Sequence, residues 1–405
     1  MRYYKLSCLV AVAAVSWVSP AAAQQKGSSD EPQRSTSIDL TGEILHDSNI
    51  ARSTPAQAAL RGLSLADWLY SIGAAVDVAR PIGRQSLFIR GTVGYDFHHH
   101  DTILNRERMD LHAGVDGVLG PCRPVATGGY GRHQSDLEDL QITVTRNVEE
   151  LKSLSLDVSC PREVGLSPNL TVDQEWANNS NLARKSSDYK TLTETAGITY
   201  QQPTLGQFTI FGMHSHYDYP NQLAPVGIQL LPNANEIYSG GGKFSRNIGS
   251  KLQTVLSLSY TKLDPRSTVT PGFKGVTYSV DLIAKPIDRL NAHFTFDRSV
   301  KPSNRSDASY SVGTTYNGEI DYALGERIKL AAGGMIRHQT QVGLPSVGIN
   351  TPQNETNKSY FGSADYRLRD NLSLTLRGQR VLRESVNPLF NYGSTQIGLT
   401  IGASF

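Results

Sequence analysis

The sequence predicts an all-β chain: a transmembrane, antiparallel, up-and-down β-barrel of about 18 strands, with 16 as the second count. Three observations carry this. Apolar and polar residues alternate with a period of two along many short segments. The connections between those segments alternate between short and long, which a β-sandwich gives no reason for. No change of composition divides the chain between Thr36 and Phe405, although its length would ordinarily make two or three soluble domains.

The N-terminus reads as a secretory leader over residues 1–23. Arg2 and Lys5 precede a short apolar run from Leu9 to Val18, and Ala21, Ala22 and Ala23 supply the small residues of a cleavage site. The run is about half of the roughly 20 residues that a spanning helix needs. Residues 24–36 are expected as a short flexible periplasmic segment, and residues 37–405 as the barrel. Net charge is +2 with no basic patch, so nucleic acid is not an expected partner.

The strands follow. Trp68, Tyr70, Ile72, Ala74, Val76 and Val78 alternate with Asp67, Leu69, Ser71, Gly73, Ala75 and Asp77. Leu87, Ile89, Gly91, Val93, Tyr95 and Phe97 alternate with Phe88, Arg90, Thr92, Gly94, Asp96 and His98. Met109, Leu111, Ala113 and Val115 oppose Arg108, Asp110, His112 and Asp116. The pattern returns around residues 257, 280, 295, 365 and 377, with further centres near 42, 129, 154, 173, 196, 212, 241, 315, 333 and 400. One face is greasy and the other carries the charge, as a wall between lipid and water requires. The expected lumen-lining charges are Asp67, Asp77, Arg90, Asp96, Arg108, Asp110, Asp116, Asp281, Asp297, Asp365, Arg367 and Arg377. Both signs are present, so no strong single-sign selectivity is expected.

Short connections such as "RPIGRQ" (80–85), "NIGSK" (247–251) and "RDN" (369–371) are assigned to the periplasm. Long ones at 47–64, 217–235, 264–273, 339–358 and 383–393 are assigned to the outside. Cys122 opens the fifth strand and Cys160 ends the sixth, both at short turns. Neighbouring antiparallel strands bring those ends together, so a disulfide is expected in an oxidising periplasm. Aromatic residues near strand ends, Trp68, Tyr70, Tyr95, Phe97, Trp176, Tyr260, Phe296, Tyr310 and Tyr360, suit interfacial girdles.

The chain closes on "TQIGLTIGASF". Ile397, Leu399, Ile401, Ala403 and Phe405 form one apolar face, ending on the aromatic residue itself. Such an ending resembles the signal read by the barrel assembly machinery, which implies that machinery, and outer-membrane lipid, as partners in a Gram-negative outer membrane.

Chemistry-bearing motifs are few. "FHHHD" (97–101) places three adjacent imidazoles on alternating faces, where they cannot easily converge on one ion. "HSHY" (214–217) puts His214 and His216 on one face but offers no third ligand. No nucleophile–base element stands out; Asp96, Asp110, His112 and Asp116 read as lumen charges rather than an acid/base cluster. Neither an enzyme nor a cofactor or metal is expected.

"LTGEILHDSNIARS" (40–53) holds an Asp-x-Asn-Ile-x-Arg element: Asp47, Asn49, Ile50 and Arg52. It resembles the beta-barrel porin type 2 family and the related outer-membrane barrels associated with exopolysaccharide export. That resemblance implies a conduit for polysaccharide, with periplasmic export components as partners. The residues themselves suit a turn in which Asp47 and Asn49 bond backbone groups. The expected function is a passive channel for polar solutes serving exopolysaccharide or capsule export. The alternatives are a general diffusion porin for small solutes, a structural or adhesive barrel with a closed pore, and an outer-membrane hydrolase.

Overall fold

The computed structural model describes residues 34–135, 146–303, 308–342 and 354–405. The expected leader, and the segment after it up to residue 33, lie outside the described residues. Among those described are 18 strands. They are β1 (Ser35–Asp47), β2 (Asp67–Ile82), β3 (Gln85–His98), β4 (Arg106–Asp116), β5 (Arg123–Gln134) and β6 (Val148–Ser159). Next come β7 (Gly165–Asn179), β8 (Tyr189–Gln202), β9 (Gly206–Val226), β10 (Gln229–Ile248), β11 (Leu252–Pro265) and β12 (Phe273–Ile287). The last are β13 (Leu290–Pro302), β14 (Tyr310–Leu324), β15 (Ile328–Val342), β16 (Asn354–Arg369), β17 (Leu372–Ser385) and β18 (Tyr392–Ser404). Each expected strand centre falls inside one of them.

Every strand pairs antiparallel with its sequence neighbours, and β18 pairs with β1 to close the cylinder. At that seam Leu40 faces Ala403 and Asp47 faces Gln396. The Phe405 N–H donates to the Ile38 carbonyl at 2.9 Å, so the last residue is itself bonded into the wall. Closure removes both sheet edges, which is what lets strands cross hydrocarbon without unpaired backbone groups.

The alternation places side chains as the pattern demands. Ile38, Leu40 and Ile44 on β1, Ile72 on β2, Ile89 on β3 and Ile397, Leu399 and Ile401 on β18 are all exposed outward. The cross-strand pairs Ile44 with Tyr70 and Leu374 with Ile401 keep apolar side chains on one face from strand to strand. The core of this fold is therefore inverted: an apolar band faces outward and the polar set faces inward.

Short turns gather on one rim. Gly83 and Arg84 join β2 to β3, with Gly83 at φ +61°, a conformation that suits glycine in a two-residue hairpin. Cys122 and Cys160 also lie on this rim, joined by a disulfide with Cα atoms 3.9 Å apart, slightly closer than the 4.4–6.8 Å range.

The other rim carries longer connections, with two departures from expectation. Residues 217–235 are not a loop: β9 and β10 continue as an extended hairpin closed by Gly227 and Ile228. The stretch holds Pro220, Pro225 and Pro232. Pro220 falls where the register shifts, between the Tyr219–Asn233 and Leu223–Pro232 pairs, so its missing N–H costs no ladder bond. Tyr310 is not a girdle residue. It is buried, and its hydroxyl donates to the Pro271 carbonyl at 2.9 Å, because its part of β14 has left the wall.

Candidate functional site

The site is the interior surface of the cylinder. Alternation from outward-facing neighbours puts Asp77, Arg90, Asp96, Arg108, Asp110, Asp116, Asp281, Asp297, Asp365, Arg367 and Arg377 on the inner face. Many are paired there. Arg90 meets Asp77 at 3.3 Å, Arg108 meets Asp96 at 2.9 Å, and His112 meets Asp110 at 2.9 Å. His293 lies 3.3 Å from Asp281, while Thr375 and Ser299 donate to Asp365 and Asp297 at 2.5 and 2.9 Å. The Arg377 guanidinium lies 4.2 Å from the Phe361 ring centre. Water-exposed pairs of this kind contribute little to stability. Their consequence is a hydrated wall carrying both signs of charge.

Asp67 departs from the expected set. It is 2 % exposed and sits under the β3–β4 connection, where it accepts the backbone N–H groups of His100 and Asp101 at 3.0 and 2.9 Å. It anchors a loop rather than facing the lumen. This also accounts for "FHHHD": His100 turns to Asp67 at 3.1 Å, and His98 lies on the inner face of β3. His214 and His216 face outward, both hydrogen-bonded to Glu236 on β10, at 2.7 and 2.5 Å.

The Asp47–Arg52 motif builds the entrance on one side. Asp47 is 1 % exposed and accepts from the Asn49 N–H at 2.8 Å, Ser394 Oγ at 2.5 Å and Gln396 Nε2 at 2.8 Å. Arg52 pairs with it at 2.7 Å and occupies the left-handed region, φ +48°, which a non-glycine residue holds only when its surroundings fix it. Asn49 donates to the carbonyls of Ser53 and Gly393 at 2.9 and 3.3 Å. Ile50 packs on a small apolar cluster of Ala51, Ala58, Leu63 and Leu104. The β1–β2 loop, with its short helix α1 (Pro55–Leu60), is thereby folded onto the inner side of the seam. There burial and the like charge of Arg383 push the Arg61 pKa down.

The opposite side is built differently. Backbone pairing between β12 and β13 stops at Tyr278 with Arg298, although both strands run on. Beyond it, Val300 and Tyr310 pack with Ile237 of β10 and Leu263 of β11 in a buried cluster. Asn235 Nδ2 donates to the Ser309 carbonyl at 3.1 Å, and Ser309 Oγ donates back to Asn235 Oδ1 at 3.0 Å. In a cylinder only neighbouring strands touch. A contact from Ser309, just before β14, to the inner face of β10 means that the described ends of β13 and β14 bend into the lumen.

Between these features the inner wall from β8 to β12 is rich in hydroxyls. Thr193 bonds Ser215 at 2.9 Å, Thr199 bonds Thr209 at 2.7 Å, Ser239 bonds Thr261 at 2.6 Å, and Ser259 bonds Thr277 at 2.8 Å. The inward-facing Tyr189 ring lies 6.4 Å from that of Tyr217 and 6.3 Å from that of the buried Tyr219, centre to centre. Sequence reasoning missed this arc because it singled out charges. The alternation that found the charges would also have found the threonines. It had no signal for the bent tip, which depends on contacts across the lumen.

No family model matches the sequence, that of the type 2 porins included, and no curated protein matches it. Among solved structures the chain is similar to OccK2 (OpdF) of Pseudomonas aeruginosa, in complex with glucuronate. Identity is 10%, the TM-score is 0.49, and the match covers 92% of this chain and 98% of that one. A BenF-like porin from Pseudomonas fluorescens Pf-5 is 13% identical at TM-score 0.49, covering 92% and 99%. The outer membrane protein opdK from Pseudomonas aeruginosa is 9% identical at TM-score 0.48, again covering 92% and 99%.

Proposed function

We propose that the chain is a passive diffusion channel for small polar solutes in the outer membrane of a Gram-negative bacterium, with the short-turn rim in the periplasm. The observation that carries this is the sidedness of the wall: an apolar band outward on strand after strand, with acids and guanidinium groups inward on β2 to β4 and hydroxyls inward on β8 to β12. A barrel of this strand number leaves a water-filled interior unless loops fill it. The β1–β2 loop and the bent β13–β14 tip narrow the mouth from two sides, so solute size is limited there. Planar-bilayer recording tests the reading. Discrete, stable openings are expected from purified protein, and a silent bilayer after verified insertion would overturn it.

A second reading, passage of an exported glycan, rests on the hydroxyl-rich arc and on the half-buried rings of Tyr189 and Tyr217 beside it; Tyr219 is buried. Hydroxyl rows bond neutral sugars, and aromatic faces pack on sugar rings. Deleting the gene and measuring secreted polysaccharide beside uptake of small sugars separates the two. Lost secretion with unchanged uptake favours the glycan; the reverse favours general diffusion.

A further inference from the structure

The wall overlaps itself at one place. Beyond the Tyr278–Arg298 pair, β12 runs on over residues 273–277 and β13 over residues 299–302 without pairing to each other. Each still pairs with its other neighbour, β12 with β11 up to Phe273 and β13 with β14 up to Pro302. Two margins of sheet therefore part there. Val300 shares its strand face with the outward-exposed Phe294, and Tyr310 shares its face with the outward-exposed Tyr316. Yet Val300 and Tyr310 are buried against Ile237 and Leu263, on the inner faces of β10 and β11. The outer face of one margin thus lies on the inner face of the other, a lap joint that is apolar on both sides. Polar clasps hold it at the rim: Asn235 with Ser309, and the Tyr310 hydroxyl with the Pro271 carbonyl.

Arg298 stands at the foot of the split. Along β13 from Leu290 at the short-turn rim, it lies about 20 Å higher, at roughly 2.5 Å of height per residue of a tilted strand. The outward apolar band of such barrels is about 25 Å tall, so the split opens in its upper part, toward the outer leaflet. Sheet edges are tolerated at that depth only where protein covers them or a passage is lined. Arg298 and Lys274, one on each margin, lie on the outward face. Neither has an ion pair among the described residues, and the outward faces of β12 to β15 carry no acid there.

We infer that the lap is a side entrance for a single-chain carboxylate amphiphile of the fatty-acid class. Arg298 and Lys274 take the carboxylate at the outer surface, and the apolar lap takes the chain toward the lumen. The inference adds a second route to the polar channel and rests on the outer-membrane reading above. A guanidinium suits a carboxylate because it presents two parallel N–H donors. An alkyl chain entering the lap exchanges one apolar contact for another, so the joint can part around it without exposing apolar surface to water.

The test compares entry of radiolabelled dodecanoate and of glucose into cells with and without the full-length chain. The wild type is expected to admit dodecanoate well above the level of cells lacking it. Arg298→Gln with Lys274→Gln is expected to lower that entry roughly tenfold, the scale of one lost charge-assisted bond, and to leave glucose entry unchanged. Asn235→Cys with Ser309→Cys staples the lap. Once intact mass shows the staple formed, dodecanoate entry is expected to fall to background and to return on reduction, with wild type treated alike as the reference. If the staple does not close, the glutamine variant decides alone. No dodecanoate entry above background, or entry unchanged by the closed staple or by the glutamine variant, overturns the proposal. So does a phospholipid retained by purified wild type and lost from the glutamine variant while dodecanoate entry stays the same, because the cations would then hold lipid phosphate. Failure of the polar-channel reading looks different: glucose entry would match cells without the protein while dodecanoate entry persisted.

Discussion

One carboxylate, that of Asp47, joins the two ends of the wall. It lies on β1, yet two of its acceptor bonds come from Ser394 and Gln396 on β18, and its ion pair holds Arg52 in a left-handed backbone. Removing it takes a shared acceptor from Arg52, Ser394 and Gln396, although Arg52 still donates to the Asn49 carbonyl at 2.6 Å. Asp47→Ala is expected to destabilise the barrel by about 3 kcal/mol, the scale of breaking a buried pair. Urea unfolding in detergent, followed by heat-modifiable migration, measures this; an unchanged midpoint would show that the seam does not depend on the motif. The turn role was legible in the sequence, since Asp and Asn at that spacing bond backbone groups. The partners on β18 were not, because they lie more than 340 residues away. Asp67 shows the same limit. Its alternation marked it as inward, but a strand end belongs as much to the next loop as to the wall.

At the scale of elements, the strands were the most readable part of the molecule. A period of two is imposed twice, by lipid outside and water inside, so each strand records its own orientation. The β9–β10 hairpin was misread where it leaves the bilayer level and the lipid constraint lapses. The β13–β14 tip is held inward by the Asn235–Ser309 bonds and by Tyr310 with Pro271. Asn235→Ala with Tyr310→Phe is therefore expected to loosen the tip and raise single-channel conductance by roughly half or more, or to add flickering sublevels. Unaltered traces would mean the tip does not limit current. The disulfide acts on a different hairpin pair. It closes a loop of 38 residues at the foot of β5 and β6, worth roughly 3–4 kcal/mol by the chain-entropy account. Replacing both cysteines by Ala should lower the unfolding midpoint while leaving conductance unchanged. A change in conductance would place the bridge closer to the solute path than its rim position indicates.

For the whole molecule, closure by β1 and β18 follows from an even strand count and from the wall's need to leave no edge. A wide, hydrated interior predicts a conductance that rises nearly in proportion to KCl concentration. Saturation below molar salt would indicate a tight ion site instead. The interior also differs around its circumference. Ion pairs cluster on β2 to β4, where Asp77, Arg90, Asp96 and Arg108 meet, whereas the facing arc offers hydroxyls and tyrosine rings. A solute with a charged end and a sugar-like flank would thus meet different partners on its two sides, and isomers of equal width that present those groups differently would be slowed to different extents.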